Sequence, residues 1–177
     1  ILHSLHCMLN EFRVMSTKKT ENSIRSAKNF KLEGEIIDSV PFGSGHINDT
    51  FKITTNSLQN NLYLLQRINH HIFQDVEGLM NNIESVCKHL KEKLAHLGEK
   101  EVLKRTMTIV PTYDNKNYYQ DENGDYWRVF HLIPETRSYD ILETQEQAYS
   151  GGMAFGQFQK QLSDLDPKTI VEILPNF

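Results

Sequence analysis

The chain has 177 residues, 38% of them hydrophobic and 24% charged, with a net charge of −4. That length holds one domain, or one domain plus a piece of another, and the acidic balance lacks the basic footprint of a nucleic-acid binder. No apolar run approaches the roughly 20 residues that span a bilayer, and two cysteines outside any CxxC or Cys/His spacing, Cys7 and Cys87, point to free thiols in a reducing cytoplasm.

Residues 1–14 place Ile1, Leu2, Leu5, Met8, Leu9 and Phe12 at helical spacing, which predicts an amphipathic helix. They carry neither a basic start nor a small-residue cleavage site, so a signal peptide is not expected, and 16–23 reads as a polar lead-in. A short helix is predicted over 23–32, with Ser23 as N-cap and Gly34 as C-cap glycine. Residues 35–42 read as a strand and 50–55 as a second, with Phe51 and Ile53 on one face and Lys52 and Thr54 on the other. Residues 62–69 form a third strand, apolar enough for burial on both faces.

The longest helical pattern runs over 70–97. Asp75 caps it or lies in its first turn, Leu79, Met80, Ile83, Val86, Cys87, Leu90 and Leu94 supply the apolar stripe, and Gly98 ends it. A short strand is predicted over 107–111. Residues 117–119 and 126–133 flank D-E-N-G-D, whose Asn123-Gly124 is the strongest hairpin signal in the chain. Trp127 and Tyr118, Tyr119 and Tyr126 are expected to pack that hairpin. Pro134 ends the strand, a second long helix covers 144–162, Asp166-Pro167 breaks it, and a last short helix is expected over 168–174. The order does not alternate strand and helix, so it points to an α+β fold with a small antiparallel sheet and one long packed helix, not to a doubly wound parallel sheet.

The chemistry concentrates in F-G-S-G-H-I-N, residues 42–48. It is neither a Walker A loop nor a Rossmann fingerprint, since it lacks G-K-[ST] and no helix follows it. A hairpin turn needing a left-handed glycine explains it locally. Its position argues for more. A glycine loop between the first two strands, a third strand with a basic residue and then a long helix is the order of a kinase N-terminal lobe. In that arrangement backbone N–H groups close over phosphates, a cation on the third strand neutralises their charge, and a helix carboxylate holds the cation. Arg67, beside Gln66, is the candidate cation, and Glu77 and Glu84 are the candidate carboxylates, with Glu84 nearer mid-helix. Alternation places Gln66 and Arg67 on opposite faces without saying which faces a nucleotide. His46 and Asn48 lie in the loop, where polar side chains face whatever the loop covers. His70-His71 lacks a third ligand at metal spacing and reads as a strand-to-helix junction.

VPFGSGHINDTFKI, LYLLQRINHHIF with the following GLMNNIESV, YWRVFHLIPETRSYD and AFGQFQKQLSDLD together resemble the N-acetylhexosamine 1-kinase group of the aminoglycoside phosphotransferase and choline kinase superfamily, over about residues 30–177. The resemblance implies a protein-kinase-like N-lobe with a five-stranded antiparallel sheet over 35–133, a hinge and connector over 134–143, and the first helices of a helical C-lobe over 144–177, behind an extension and lead-in helix over 1–34. It implies ATP and Mg2+ as cofactors and the C1 hydroxyl of N-acetylglucosamine or N-acetylgalactosamine as acceptor. Gly43, Ser44 and Gly45 would lie over the phosphates, His46 and Asn48 would meet the sugar, and Pro134, Glu135 and Thr136 would form the hinge at the adenine.

The sequence departs from the pattern in two places. Gln66-Arg67 stands where the superfamily uses lysine, and no histidine opens the H-x-D-x-x-x-x-N run that kinase chemistry requires. No catalytic or metal-binding residue is therefore assigned within the chain. The expectation is an N-terminal part of a cytoplasmic sugar kinase, inactive alone, whose partners are the sugar, ATP and the C-lobe of the same polypeptide, with no nucleic acid or membrane. Two alternatives stand beside it: a kinase of the same superfamily for another small hydroxyl acceptor, such as an amino alcohol or aminoglycoside, and a non-catalytic nucleotide- or sugar-binding module.

Overall fold

A computed structural model of the chain describes residues 18–59, 61–136, 139 and 141–175. The helix predicted over 1–14, and Cys7 within it, lie outside the described residues. The elements are α1 (residues 18–27), β1 (Ile36–Pro41), β2 (Asp49–Thr55), β3 (Leu62–Ile68), α2 (Val76–Leu94), α3 (Glu99–Arg105), β4 (Ile109–Val110), β5 (Tyr119–Gln120), β6 (Tyr126–His131) and α4 (Gln145–Leu162), with 3-10 turns at Ala95–Leu97 and Pro167–Thr169. The chain divides into two compact units. One runs up to Asn69 and resumes over Val110–Leu132, and the other holds His70–Ile109 and continues from Ile133.

The first unit is the sheet. Its order is β1-β2-β3-β6-β4, with β5 pairing β6, so it has six strands where five were expected. The sixth is the two-residue β5 on the far side of the D-E-N-G-D turn. The β2–β3 and β3–β6 pairs are antiparallel, and their registers fix two faces. One face carries the rungs Phe51–Leu65–Val129 and Ile53–Tyr63–His131, and α1 covers it. Ala27 and Phe30 join Phe51, Ile53, Tyr63, Leu65, Val110, Trp127 and Val129 in one buried cluster. Burying each large side chain of that cluster contributes about 1.5–3 kcal/mol.

The lead-in helix starts earlier than its sequence suggests. Ser23 is not an N-cap: it is fully buried in mid-helix, where its hydroxyl donates to the Thr20 carbonyl at 2.7 Å and meets the Ser39 hydroxyl on β1 at 2.6 Å. A serine prefers a helix start only when its oxygen has no better partner, and here the sheet supplies one. Gly34 does not cap this helix either. It has φ +79° in the turn into β1, and a Cβ there would stand 2.6 Å from Asn56 Oδ1 and 2.8 Å from the Ser57 nitrogen. The glycine is required by conformation and by space alike.

The second unit is helical. Asp75 is the N-cap of α2, its carboxylate accepting from the Gly78 N–H at 2.8 Å. Thr144 caps α4 in a capping box with Gln147. His89 and Lys93, one turn apart on α2, reach the last turn of α4. Each meets the Gln161 carbonyl, at 3.0 and 2.9 Å, and each also meets Asp164. Lys93, a cation at the C-terminus of α4, complements its exposed carbonyls. Asn82 bonds the backbone of Val171 in both directions, at 2.8 and 2.9 Å. The Cys87 thiol is buried, and burial pushes its pKa up. Three expectations for this unit change: the helical pattern read over 70–97 is α-helix only over Val76–Leu94, with Asp75 as its cap and a 3-10 turn at Ala95–Leu97. Residues 99–105, for which the sequence pattern predicts no element, form α3, and the helix expected over 168–174 is the 3-10 turn Pro167–Thr169. The described part of α4 has no buried residue; Tyr149, Met153, Phe155 and Phe158 are all exposed.

Candidate functional site

The glycine loop is a hairpin connection held at its two ends. The Phe42 N–H donates to the Thr50 carbonyl at 2.9 Å, and the Asn48 side-chain oxygen accepts from the Asn69 N–H at 2.9 Å, tying the loop's exit to the end of β3. Asn48 is thus a loop anchor through its amide oxygen. Between these ties Gly43, Ser44, Gly45 and His46 are all exposed. Gly43 has φ +83°, the left-handed region that β-carbons disfavour. Gly45 has no such need, and a Cβ on it would meet nothing within 4 Å. The sequence at Gly45 is therefore not explained by the fold of the loop. Close approach of backbone to a ligand is the other physical reason for a glycine.

Arg67 lies at the loop end of the sheet, on the α1-covered face, in the rung Asp49–Arg67–Trp127. Its guanidinium donates to Asp49 and, at 3.1 Å, to Asp125. Burial works to lower its pKa, but the two carboxylates outweigh this and hold it above the usual arginine value. In Asp49 burial works against ionisation, and the bond and charge of Arg67 with help from Lys19 overcome it, so its pKa falls. The expected holder of this cation was a helix carboxylate. The carboxylates that hold Arg67 are instead Asp49, at the start of β2, and Asp125, just before β6, while Glu84 is exposed on α2. With Lys19 also on Asp49 at 3.4 Å, the cluster holds two cations and two carboxylates, so the charge of Arg67 is already compensated and attracts phosphate weakly.

The opposite face presents a different rung. Thr50, Gln66 and Arg128 stand side by side on β2, β3 and β6. Arg128 Nε donates to Gln66 Oε1 at 3.0 Å, Gln66 Nε2 donates to Thr50 Oγ1 at 3.2 Å, and the Arg128 guanidinium lies over the Phe130 ring at 5.3 Å. Reading the third strand alone singles out Gln66-Arg67 and misses Arg128. Its signal was available in the alternation of β6, where Arg128 and Phe130 share a face opposite Trp127 and Val129.

The strand β6 ends at His131 and leads into a tight turn. Pro134, Glu135 and Thr136 are exposed there, Glu135 has φ +59°, and Thr136 Oγ1 donates to the Ile133 carbonyl at 3.0 Å. A non-glycine residue in the left-handed region stores about 1–3 kcal/mol and is found where the backbone is put to use. The His70 and His71 rings pack against each other, tilted by 40°, with centroids 4.4 Å apart. Among the described residues no group of three or more His, Cys, Asp or Glu could hold a metal ion.

No protein-family model matches the chain. Among solved structures it is similar to the crystal structure of spectinomycin phosphotransferase, APH(9)-Ia, in complex with ADP and spectinomycin, with a TM-score of 0.52 and 12% identity, covering 82% of this chain. The fold is kinase-like. The chain spans 38% of the length of that phosphotransferase. The first unit brings Gly43, Ser44, Gly45, His46, Asn48 and Arg67 to one end of its sheet. Glu84, Pro134, Glu135 and Thr136 belong to the second unit. No helix among the described residues is long and apolar enough to cross a membrane.

Proposed function

We propose that the chain is the nucleotide-handling part of an ATP-dependent small-molecule kinase of the aminoglycoside phosphotransferase type, acting on the C1 hydroxyl of an N-acetylhexosamine. One observation carries this reading: a glycine loop between β1 and β2 in a sheet of order β1-β2-β3-β6-β4, with Gly45 needed neither by backbone conformation nor by packing, in a fold shared with a phosphotransferase that was solved with ADP. ATP with Mg2+ is the donor. The N–H groups around Gly43, Ser44 and Gly45 would approach its phosphates, and Pro134, Glu135 and Thr136 would meet the base through their backbone. His46, exposed in the same loop, is assigned to the acceptor. The N-acetylhexosamine assignment is supported by the G-S-G-H-I-N-D-T and L-Q-R-I-N blocks of the sequence.

The bond that breaks joins the γ-phosphorus to its bridging oxygen, and the bond that forms joins that phosphorus to the sugar oxygen. What this chain contributes is position and charge compensation, which supply most of the catalysis in phosphoryl transfer. We assign the base for the sugar hydroxyl and the metal-binding carboxylates to a lobe outside this chain, because no H-x-D-x-x-x-x-N run occurs within it. The apolar side chains exposed on α4 fit this assignment as the surface that such a lobe would cover. A second reading, a different hydroxyl acceptor such as an aminoglycoside, is favoured by the spectinomycin bound in the similar structure.

The test is phosphate transfer from ATP, followed by 31P NMR, with N-acetylglucosamine, N-acetylgalactosamine and spectinomycin as acceptors. The 177-residue chain should give no product above background, and the same chain extended by its downstream coding sequence should give a sugar 1-phosphate. Product from the short chain would overturn the division of labour, and transfer confined to spectinomycin would replace the acceptor.

A further inference from the structure

The register of the sheet separates the two arginines, and the separation decides which can serve a phosphate. Arg67 shares its face with the buried cluster under α1 and is clasped by Asp49 and Asp125. Asp49 opens β2, and Asp125 follows the turn that leads into β6, so this ion pair fastens the ends of two hairpins. Arg128 lies on the other face, in the last rung of that face shared by β2, β3 and β6 at the glycine-loop end, where Thr50 is two residues past Asn48 and only the Ile68–Tyr126 pair lies beyond. Lys52 shares this face but stands one rung further away, beside Leu64 and Phe130, a step of roughly 7 Å along the strand.

The polar chain across the rung also fixes the guanidinium. Gln66 accepts from Nε and is itself held by Thr50. An arginine gripped at Nε keeps its two terminal nitrogens in one plane, the geometry that meets phosphate oxygens in pairs. A lysine on β3 would deliver a point charge to this place. Here the neutral Gln66 stands on β3, and its neighbour across the rung carries the charge.

Resting on the phosphotransferase reading above, we propose that Arg128 is the cation that binds the nucleotide's phosphates, that Gln66 is its positioning residue, and that Arg67 serves the fold alone. Burial pushes the Arg128 guanidinium down to about 10, which leaves it protonated at neutral pH while removing part of its water, so an arriving anion finds a partly desolvated partner.

The experiment compares ADP with adenosine, binding each to the full chain by calorimetry. The wild type should prefer ADP. Arg128→Gln should weaken ADP by roughly 10- to 100-fold, the range of a lost charge-assisted contact, and leave adenosine unchanged. Gln66→Leu should cut the same preference severalfold. Arg67→Gln should lower the melting temperature and keep the ratio of the two affinities. If Arg128→Gln fails to fold, Arg128→Lys keeps the charge without the fork and should lose part of the preference; an unchanged preference there overturns the proposal. Loss of the preference in Arg67→Gln with its retention in Arg128→Gln also overturns it, as does a preference untouched by every variant. A wild type that binds adenosine and ADP equally overturns this assignment alone. A wild type that binds neither overturns the phosphotransferase reading as well.

Discussion

Two glycine-bearing hairpin loops of the same sheet are built in opposite ways. In the turn at 121–125 one side chain organises the whole connection. Asp121 Oδ1 accepts from the Asn123 and Asp125 N–H groups at 2.9 and 3.0 Å, and Oδ2 accepts from the indole of the buried Trp127 at 2.9 Å. The backbone closes twice more, Asp121 N–H to the Asp125 carbonyl and Gly124 N–H to the Asp121 carbonyl. Only Gly124 of the Asn-Gly pair is left-handed, so this is a type I turn followed by a left-handed glycine rather than a two-residue primed turn. The loop at 43–48 is tied at Phe42 and Asn48, and its middle stands exposed. A turn whose polar groups converge on one buried-side carboxylate serves the fold, whereas the 43–48 loop has no such carboxylate at its centre and presents Gly43, Ser44, Gly45 and His46 to the surface.

The contrast between the loops breaks most severely at Asp121. Asp121→Ala strands the Trp127 indole and frees two turn amides, and should destabilise the protein by about 2–4 kcal/mol, read by denaturant melts, because a buried donor without a partner costs more than a bond contributes. The ratio of ADP to adenosine affinity should not move. Acid gives the same contrast with a sign that can be worked out. Burial disfavours the Asp121 carboxylate, but bonds from the Trp127 indole and the Asp125 and Asn123 amides together outweigh it, so the folded pKa lies below the ordinary 3.8. Stability from this group is complete above that value and is lost as pH falls below it through the folded value. A melting-temperature series from pH 5 down should therefore fall less steeply in Asp121→Asn than in the wild type, and an identical slope would refute the role.

Next in size are the left-handed glycines. Gly43 and Gly124 share φ +83°, so alanine at either position should cost about 1–2 kcal/mol. Thermal melts should rank the two variants together in stability. Nucleotide binding should separate them, with Gly124→Ala unchanged and Gly43→Ala weakened.

The sequence displays these loops unequally for physical reasons. Local rules with short reach were readable: the strands on either side of the glycine loop, Asp75 at the start of α2, Thr144 at the start of α4 and the Asn-Gly hairpin. What required the fold is which sheet face is covered. Alternation puts Gln66 and Arg67 on opposite faces, but Ala27 and Phe30 decide that the Arg67 face is the core side, and Ala27 ends a helix that starts earlier than its sequence suggests. The partners of Arg67 are 18 and 58 residues away, and Gln66 and Arg128 are 62 apart, distances at which no spacing rule operates. The seven-residue α3 escaped for the opposite reason, being too short to show a period.

The smallest expected effect on stability is also the sharpest on function. A Cβ at Gly45 meets nothing within 4 Å, and its backbone is not left-handed. Gly45→Ala should thus melt within a few tenths of a kcal/mol of the wild type, with alanine's lower unfolded-chain entropy working slightly in its favour. If the loop lies over phosphates, the added methyl group stands where the nucleotide approaches, and ADP should bind about 1 kcal/mol more weakly, roughly fivefold. Adenosine, which lacks phosphates, should bind as before. A variant with unchanged stability and unchanged ADP affinity would return this loop to the same class as 121–125, a connection that serves the sheet and nothing beyond it.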